Sequence, residues 1–283
     1  MTVAEMLAHW PWLVLYVFVS AVVFLFLRRR SSTDELAAGS VHRSHGFGPS
    51  VGLGPIAAAF FRLTAARLLV AALVVAWGVR AALGHWSWWD AAVVVGVAAF
   101  WPVQEWLIHV FILHLKPPTL FGRQLDPIIA RNHRNHHRNP WDPALGITPP
   151  HCIWLYMAGL PGLWPLFLPV PLAATGVATY FVLALNYEWI HYLIHTAYVP
   201  RTWFYRRLWH NHRLHHFKNE HYWFGVTMLS GDWLLSTQPT AQATARSETV
   251  LSLGVASDHG IAATADAPPL AKEPPEPAAT SST

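Results

Sequence analysis

The chain has 283 residues, 53% of them hydrophobic and 12% charged, with 19 Lys and Arg against 15 Asp and Glu for a formal charge of +4. Soluble domains carry roughly a quarter charged residues, so an ordinary soluble domain and a disordered chain are excluded, and the single cysteine, Cys152, excludes a disulfide scaffold and a Cys-based zinc finger. Two excesses remain: long apolar runs with 16 Trp, and 18 His, of which 13 fall between His109 and His221, where even scatter would put about 7.

Residues 6–27 carry no formal charge and run into Arg28, Arg29 and Arg30, a length that suits one membrane-spanning helix. The charges follow the apolar stretch, so residues 1–30 read as an anchor with its arginine end in the cytoplasm, not as a cleaved signal. Residues 31–62, opening with a polar stretch rich in Gly, Ser and His, read as a cytoplasmic linker. The GFG and GLG fragments there lack the strand and helix of a dinucleotide fold. A second span is expected over 63–83, with Arg67 and Arg80 near its ends, and a third over 88–108, with Trp86, Trp88 and Trp89 forming an interfacial belt at the turn.

Residues 143–187 hold no formally charged side chain, enough for two spans. Pro161, Pro165, Pro169 and Pro171 mark the reversal between them, because proline breaks helix hydrogen bonding. The expected total is five spans. Segments 116–138 and 201–218 hold five Lys and Arg each against the single acid Asp126, which places both in the cytoplasm. Residues 238–283 show no apolar periodicity and read as a disordered tail. The expected fold is therefore all-α and multi-pass, with a principal domain over 63–237 capped on its cytoplasmic face by histidines.

Ten histidines fall into four groups: His109 and His114 (HVFILH), His133, His136 and His137 (HRNHH), His191 and His195 (HYLIH), and His212, His215 and His216 (HRLHH). On a helix, positions three and four apart share a face, so HxxHH is expected to aim three imidazoles at one point and HxxxH two. The spacing of five in the first group calls for a helix end that bends or unwinds. No span separates the first group from the second or the third from the fourth, and two separate the second from the third, so all ten return to one side. Ten imidazoles exceed the four ligands of one tetrahedral ion, which points to two metal ions. Imidazole suits iron, zinc, copper and nickel alike, so ligand type does not choose among them.

Glu105 lies four before His109 and Glu188 three before His191, spacings at which a carboxylate accepts an imidazole N–H and fixes the ring. His151, His210 and His221 fall outside the spacing. His9, His42, His45, His85 and His259 read as solvent-facing, and Cys152 as a packing residue. Arg131, Arg134, Arg138, Arg213 and Lys218 either contact an anionic head group or simply mark the cytoplasmic side.

These groups and their flanks resemble the fatty acid hydroxylase and sterol desaturase superfamily. HLKPP at 114–118, HHRNPWD at 136–142, Pro149 and Pro150, HRLHHF at 212–217, FGVT at 224–227 and Asp232 look like its fatty acid 2-hydroxylase branch. The likeness covers roughly residues 90–237, and it departs at Thr196, where that branch has another histidine. It implies that the ten histidines hold two irons, with zinc possible in purified protein, and that O2 supplies a hydroxyl inserted into a C–H bond of a fatty acyl chain or acyl lipid. No catalytic side chain beyond the ligands is expected. Asp142 and Asp232 join Glu105 and Glu188 as candidates for holding ligand rings in place. The chain carries no cytochrome b5-like domain and no nucleotide motif, so electrons are expected from a separate ferredoxin, cytochrome b5 or reductase. The implied partners are thus a lipid substrate, the membrane and that donor, with no nucleic acid. A desaturase, or a hydroxylase of a sterol-like or carotenoid lipid, keeps the same centre; a membrane metal-binding or transport protein is the non-enzyme alternative.

Overall fold

The computed structural model describes residues 18–28 and 52–255. Residues Phe18–Arg28 (α1) are helical, and the rest of the expected first span, residues 6–17, lies outside the described residues. The linker expected over 31–62 ends early: Leu53–Phe60 form a helix (α2) with Ile56 and Phe60 fully buried. The polar first half of that segment masked its apolar end, GLGPIAAAFF, which has an inner face to bury.

Thr64–Leu83 (α3) and Trp88–Ile108 (α4) match the second and third expected spans almost residue for residue. Gly84 ends α3 at φ +61°, a conformation that glycine adopts without Cβ strain. Asp90 receives the Ser87 backbone N–H at 2.8 Å to cap α4, and a two-stranded hairpin, Thr119–Leu120 (β1) with Arg123–Gln124 (β2), follows that helix. Next come Ile128–Arg138 (α5), Pro150–Leu163 (α6), Val170–Ile194 (α7), Trp203–Phe217 (α8) and the short Ser230–Leu234 (α9).

The expected reversal falls between α6 and α7, where Trp164 lies over Gly176 so closely that a Cβ there would sit 1.8 Å from the indole. The expected pair of spans is corrected, however. α6 has 14 residues, about 21 Å at 1.5 Å per residue, too short for a hydrocarbon core of about 30 Å. Among the described residues three helices are long and apolar enough to cross a membrane: α3, α4 with the turn that continues it to Leu113, and α7. The uncharged stretch was shared unequally because proline stops α6 early, while α7 runs seven residues past its end.

α7 is the central helix, with 44% of its apolar window buried against 22% for α3 and 17% for α4. Ala65, Ala66, Ala72 and Ala76 of α3 share a buried core with Val177, Ala178 and Phe181 of α7, and the alanines are small enough to let the two apolar helices approach closely. Val74, Val75 and Val79 of α3 and Val95 and Phe100 of α4 face outward, as lipid-facing side chains do.

The disordered tail expected from 238 is also corrected. Residues 238–255 form a strap over one end of the helices, with Val250 and Leu253 buried. Its backbone is satisfied by other segments: Trp223 Nε1 donates to the Pro239 carbonyl, Asn219 Nδ2 to that of Ala245, and Ser247 N to that of Lys218. Contacts of that kind leave no periodicity in a sequence. The remainder of the expected tail lies outside the described residues.

Candidate metal centre

The spacing of five between His109 and His114 is accommodated by a π-helical turn, His109–Leu113, in which the His114 N–H donates to the His109 carbonyl at 3.1 Å. One extra residue per turn returns the sixth position to the same face, so the two rings lie 5.0 Å apart, centroid to centroid. Lys116, Pro117 and Pro118 follow.

The ten histidines form two groups of five, each with its ligand nitrogens within 4.8 Å of one another: His109, His114, His133, His137 and His215 in the first, and His136, His191, His195, His212 and His216 in the second. The expectation that each HxxHH aims three imidazoles at one point is thereby corrected. Residues along a helix are about 100° apart, so the i and i+4 rings diverge by about 40°, while the ring at i+3 points about 100° from its neighbour at i+4. α5 therefore sends His133 and His137 to the first group and His136 to the second. α8 does the converse, sending His215 to the first and His212 and His216 to the second. The groups abut, with the rings of His137 and His216 4.2 Å apart.

The Nε2 atoms converge. His133 Nε2 lies 3.1 Å from His109 Nε2 and 3.2 Å from His137 Nε2. His136 Nε2 lies 3.2 Å from His191 Nε2 and 3.1 Å from His195 Nε2, and the Nε2 atoms of His212 and His216 are 3.0 Å apart. For three rings of the first group the other nitrogen faces a carbonyl: His109 Nδ1 at 2.7 Å from Phe224 O, His137 Nδ1 at 2.9 Å from Val250 O, and His215 Nδ1 at 2.8 Å from Tyr222 O. A neutral imidazole has one N–H, so donating it outward leaves a lone pair on Nε2 facing the centre. His114 Nε2 and His215 Nε2 are buried with no hydrogen-bond partner. Converging lone pairs without protons between them are what a cation satisfies, so the residues fit a pair of metal ions.

Burial pushes the imidazoles outside the spanning helices well below the usual histidine range, and neighbouring imidazoles add to the effect at His114, His133, His136, His195, His212, His215 and His216. His137 is lowered to about 3, again chiefly by burial. These rings stay neutral at physiological pH, the form that binds metal.

The carboxylates act one step further out than expected. Glu105 accepts from Trp101 Nε1 at 3.0 Å, from Thr227 N at 2.9 Å, and from Val226 N and the Thr227 hydroxyl. Asp232 accepts from Phe224 N at 2.9 Å, Gly225 N at 2.7 Å and the Thr237 hydroxyl at 2.6 Å. Together they pin the 224–227 loop whose Phe224 carbonyl receives His109. Glu188 accepts from Thr148 N at 3.0 Å and Asp142 from Ala144 N at 3.1 Å, shaping the loop that carries Gly146. A Cβ on Gly146 would stand 3.0 Å from His136 Cε1 and 3.3 Å from its Nε2.

Thr196 belongs to neither group; its hydroxyl donates to Leu193 O at 2.8 Å. Arg213 caps the end of α7 through the Ile194 and Thr196 carbonyls and lies over the Trp209 ring at 4.0 Å. Arg134 pairs with Asp126, while Arg138 and Lys218 bind the carbonyls of Val255 and Ala241. These four cations thus brace the fold, whereas Arg131 lies 3.8 Å from Asp126 and is partly exposed. His151 is buried outside both groups, its ring edge-on to Phe24, and exposed His221 faces Glu220 at 3.4 Å. The Val250, Phe224 and Tyr222 carbonyls and Gly146 escape sequence reasoning. Backbone acceptors have no residue signature, although the glycine among turn residues was a weak one.

Apolar helices ending in two pentahistidine groups define the class: a membrane-type helical protein built around two histidine clusters, each able to hold a metal ion. A family model described as fatty acid hydroxylase matches residues 93–237, about half of the chain, and the chain belongs to that family. The fold is similar to that of full-length Scs7p, of which only the hydroxylase domain is visible, with a TM-score of 0.50 and 22% identity over 64% of this chain. The match spans 66% of the Scs7p chain, just under two thirds of its length. No curated protein matches the chain.

Proposed function

We propose that the protein is a multi-pass membrane oxygenase that hydroxylates a fatty acyl chain or an acyl lipid, using two iron ions held by the two pentahistidine groups on the cytoplasmic face. The observation that carries this reading is the inward convergence of ten imidazoles at one end of apolar helices, in a chain of the fatty acid hydroxylase family. The metal pair supplies the activation of O2, which side chains alone do not perform. The balance is one C–H bond and O2, with two electrons and two protons, giving the C–OH group and water. The electrons come from a separate one-electron carrier protein such as a ferredoxin or cytochrome b5.

The chain's own residues hold and orient. His109, His114, His133, His137 and His215 present one set of lone pairs, and His136, His191, His195, His212 and His216 the other. Carbonyls at 222, 224 and 250 hold three rings in the ligating tautomer. The spanning helices keep the acyl chain in an apolar environment, so that positioning of one carbon decides the product. The flanks shared with the 2-hydroxylase branch favour the carbon beside the acyl carboxyl. The basic segments 116–138 and 201–218 support the cytoplasmic orientation, and the functional domain extends from about residue 52 to 255, counting α2 and the strap.

Lipid mass spectrometry of an aerobic host expressing the chain beside His215→Ala tests the reading. A gain of one oxygen on an acyl chain, absent in the variant, is expected. A loss of two hydrogens would make the protein a desaturase, and oxygen gained equally in both strains would refute the site. Metal content of purified protein is a poorer guide, because zinc binds such ligands more tightly than ferrous iron.

A further inference from the structure

One atom of the first histidine group's surroundings comes from outside the region that matches the family model: the Val250 carbonyl, 2.9 Å from His137 Nδ1. His109 and His215 receive their carbonyls from residues 222–224, a loop tied down by Asp232 inside the matched region. His137 depends on the strap alone. Without an acceptor at Nδ1, its single proton is free to sit on Nε2, where it points into the centre and removes the ligand lone pair.

The strap is fastened to the elements that carry the ligands. Val250 and Leu253 are 3% and 4% exposed. The Thr249 hydroxyl donates to Glu220, Arg138 Nη2 donates to the Val255 carbonyl at 3.2 Å, and Ser247 N donates to the Lys218 carbonyl at 2.8 Å. Leu253 N closes a turn on Thr249 O at 2.7 Å, and Gly254 follows at φ +69°, where an added Cβ would lie 2.9 Å from Lys116 Nζ. α5, the loop after α8 and the segment after α4 all contact this short piece of chain.

We infer that residues 246–255 are a working part of the metal centre: the strap positions His137 through the Val250 carbonyl, and metal at the first histidine group depends on it while metal at the second does not. The inference rests on the proposed metal-binding function. Selectivity follows from the geometry, since the strap's hydrogen bond to an imidazole goes to His137, and the second group draws its rings from α7 and the far sides of α5 and α8.

The test uses the full chain in detergent with Zn2+ as the probe, titrated against a competing chelator. The unaltered chain and Gln242→Ala, an exposed position of the strap outside 246–255, are expected to bind two Zn2+. Leu253→Asp removes the buried anchor, and Gly254→Val strains the positive φ; each is expected to keep one Zn2+ at unchanged affinity and to weaken the other by roughly 10- to 100-fold, as loss of a ligand's supporting hydrogen bond does. The retained site shows that the variants are folded. Two equally tight sites in both variants overturn the inference, and so does parallel loss of both, which would make the strap a general brace. Absence of Zn2+ binding by the unaltered chain would instead overturn the proposed function.

Discussion

The protein buries two polar clusters at opposite ends of its long helices, and they are built on opposite principles. At the α3–α4 turn, Arg80 is fully buried and every direction of its guanidinium is answered: Asp90 at 2.7 Å, Thr175 at 2.7 Å, the Gly84 carbonyl at 2.6 Å, and the face of Trp86 at 3.7 Å. At the other end, ten imidazoles crowd together and His114 and His215 keep an unpartnered Nε2. A saturated polar cluster locks helices in register; an unsaturated one of a single ligand type keeps its capacity for something that is not protein. Burial is alike in the two clusters, so satisfaction is what separates a brace from a site.

The comparison breaks most visibly at the histidines. His136→Ala and His215→Ala should each lower hydroxylated lipid by at least about a hundredfold, beyond the cost of losing a supporting contact, with little change in melting temperature of the metal-free protein. Arg80→Met should do the reverse, because it strands Asp90 in a buried setting. Its Tm in detergent should fall by roughly 10 °C, while turnover per folded molecule is kept. A loss of turnover with unchanged Tm would exchange the two roles.

Smaller changes sharpen the contrast. Gly146→Ala should press a methyl group on the His136 ring and lower activity and metal affinity by about tenfold, readable as a shift in a Zn2+ titration. Between pH 8 and pH 5, acid should act through the histidine end. Unfolded histidines take up protons as the pH falls through about 6.5, whereas the folded rings refuse them, so unfolding gains protons. Stability is therefore complete above that value and is lost progressively below it, and for His137 the window extends down to about 3. Tm measured from pH 8 to pH 5 should decline below about 6.5, and a flat profile would mean that these rings take up protons in the fold as readily as in the unfolded chain. The smallest effect is expected at Thr196→Ala, since that hydroxyl bonds only local backbone, donating to Leu193 O and accepting from Tyr198 N just past the end of α7; turnover should stay within about twofold, the scale of modest hydrogen bonds.

How much of this was legible follows the physics of each signal. α3 and α4 could be read nearly to the residue because an apolar run bounded by Gly, Trp and His states its length in one dimension. The ten site histidines were legible as a set because three of their groups carry helical spacings and topology returned them to one side. The sharing of the site was not. His136 and His137 are adjacent in sequence yet serve different groups, since each HxxHH helix lies between two centres, and that depends on where α7 and the π-helical turn stand. Glu105 and Glu188 had the right spacing to reach an imidazole, but loop backbone from 226–227 and from Thr148 arrived first.

The sequence by itself determined the protein's class, its long apolar helices, its ten imidazoles and the family they point to, because hydrophobic length and helical spacing are local properties. Only the tertiary structure decided how those imidazoles divide, which carbonyls turn three rings of the first group, that α6 is short, and that residues 238–255 close the site. Those outcomes rest on backbone hydrogen bonds and packing between distant segments. The Val250 carbonyl that steadies His137 would be present whatever residue stood at 250, so no residue type announces it.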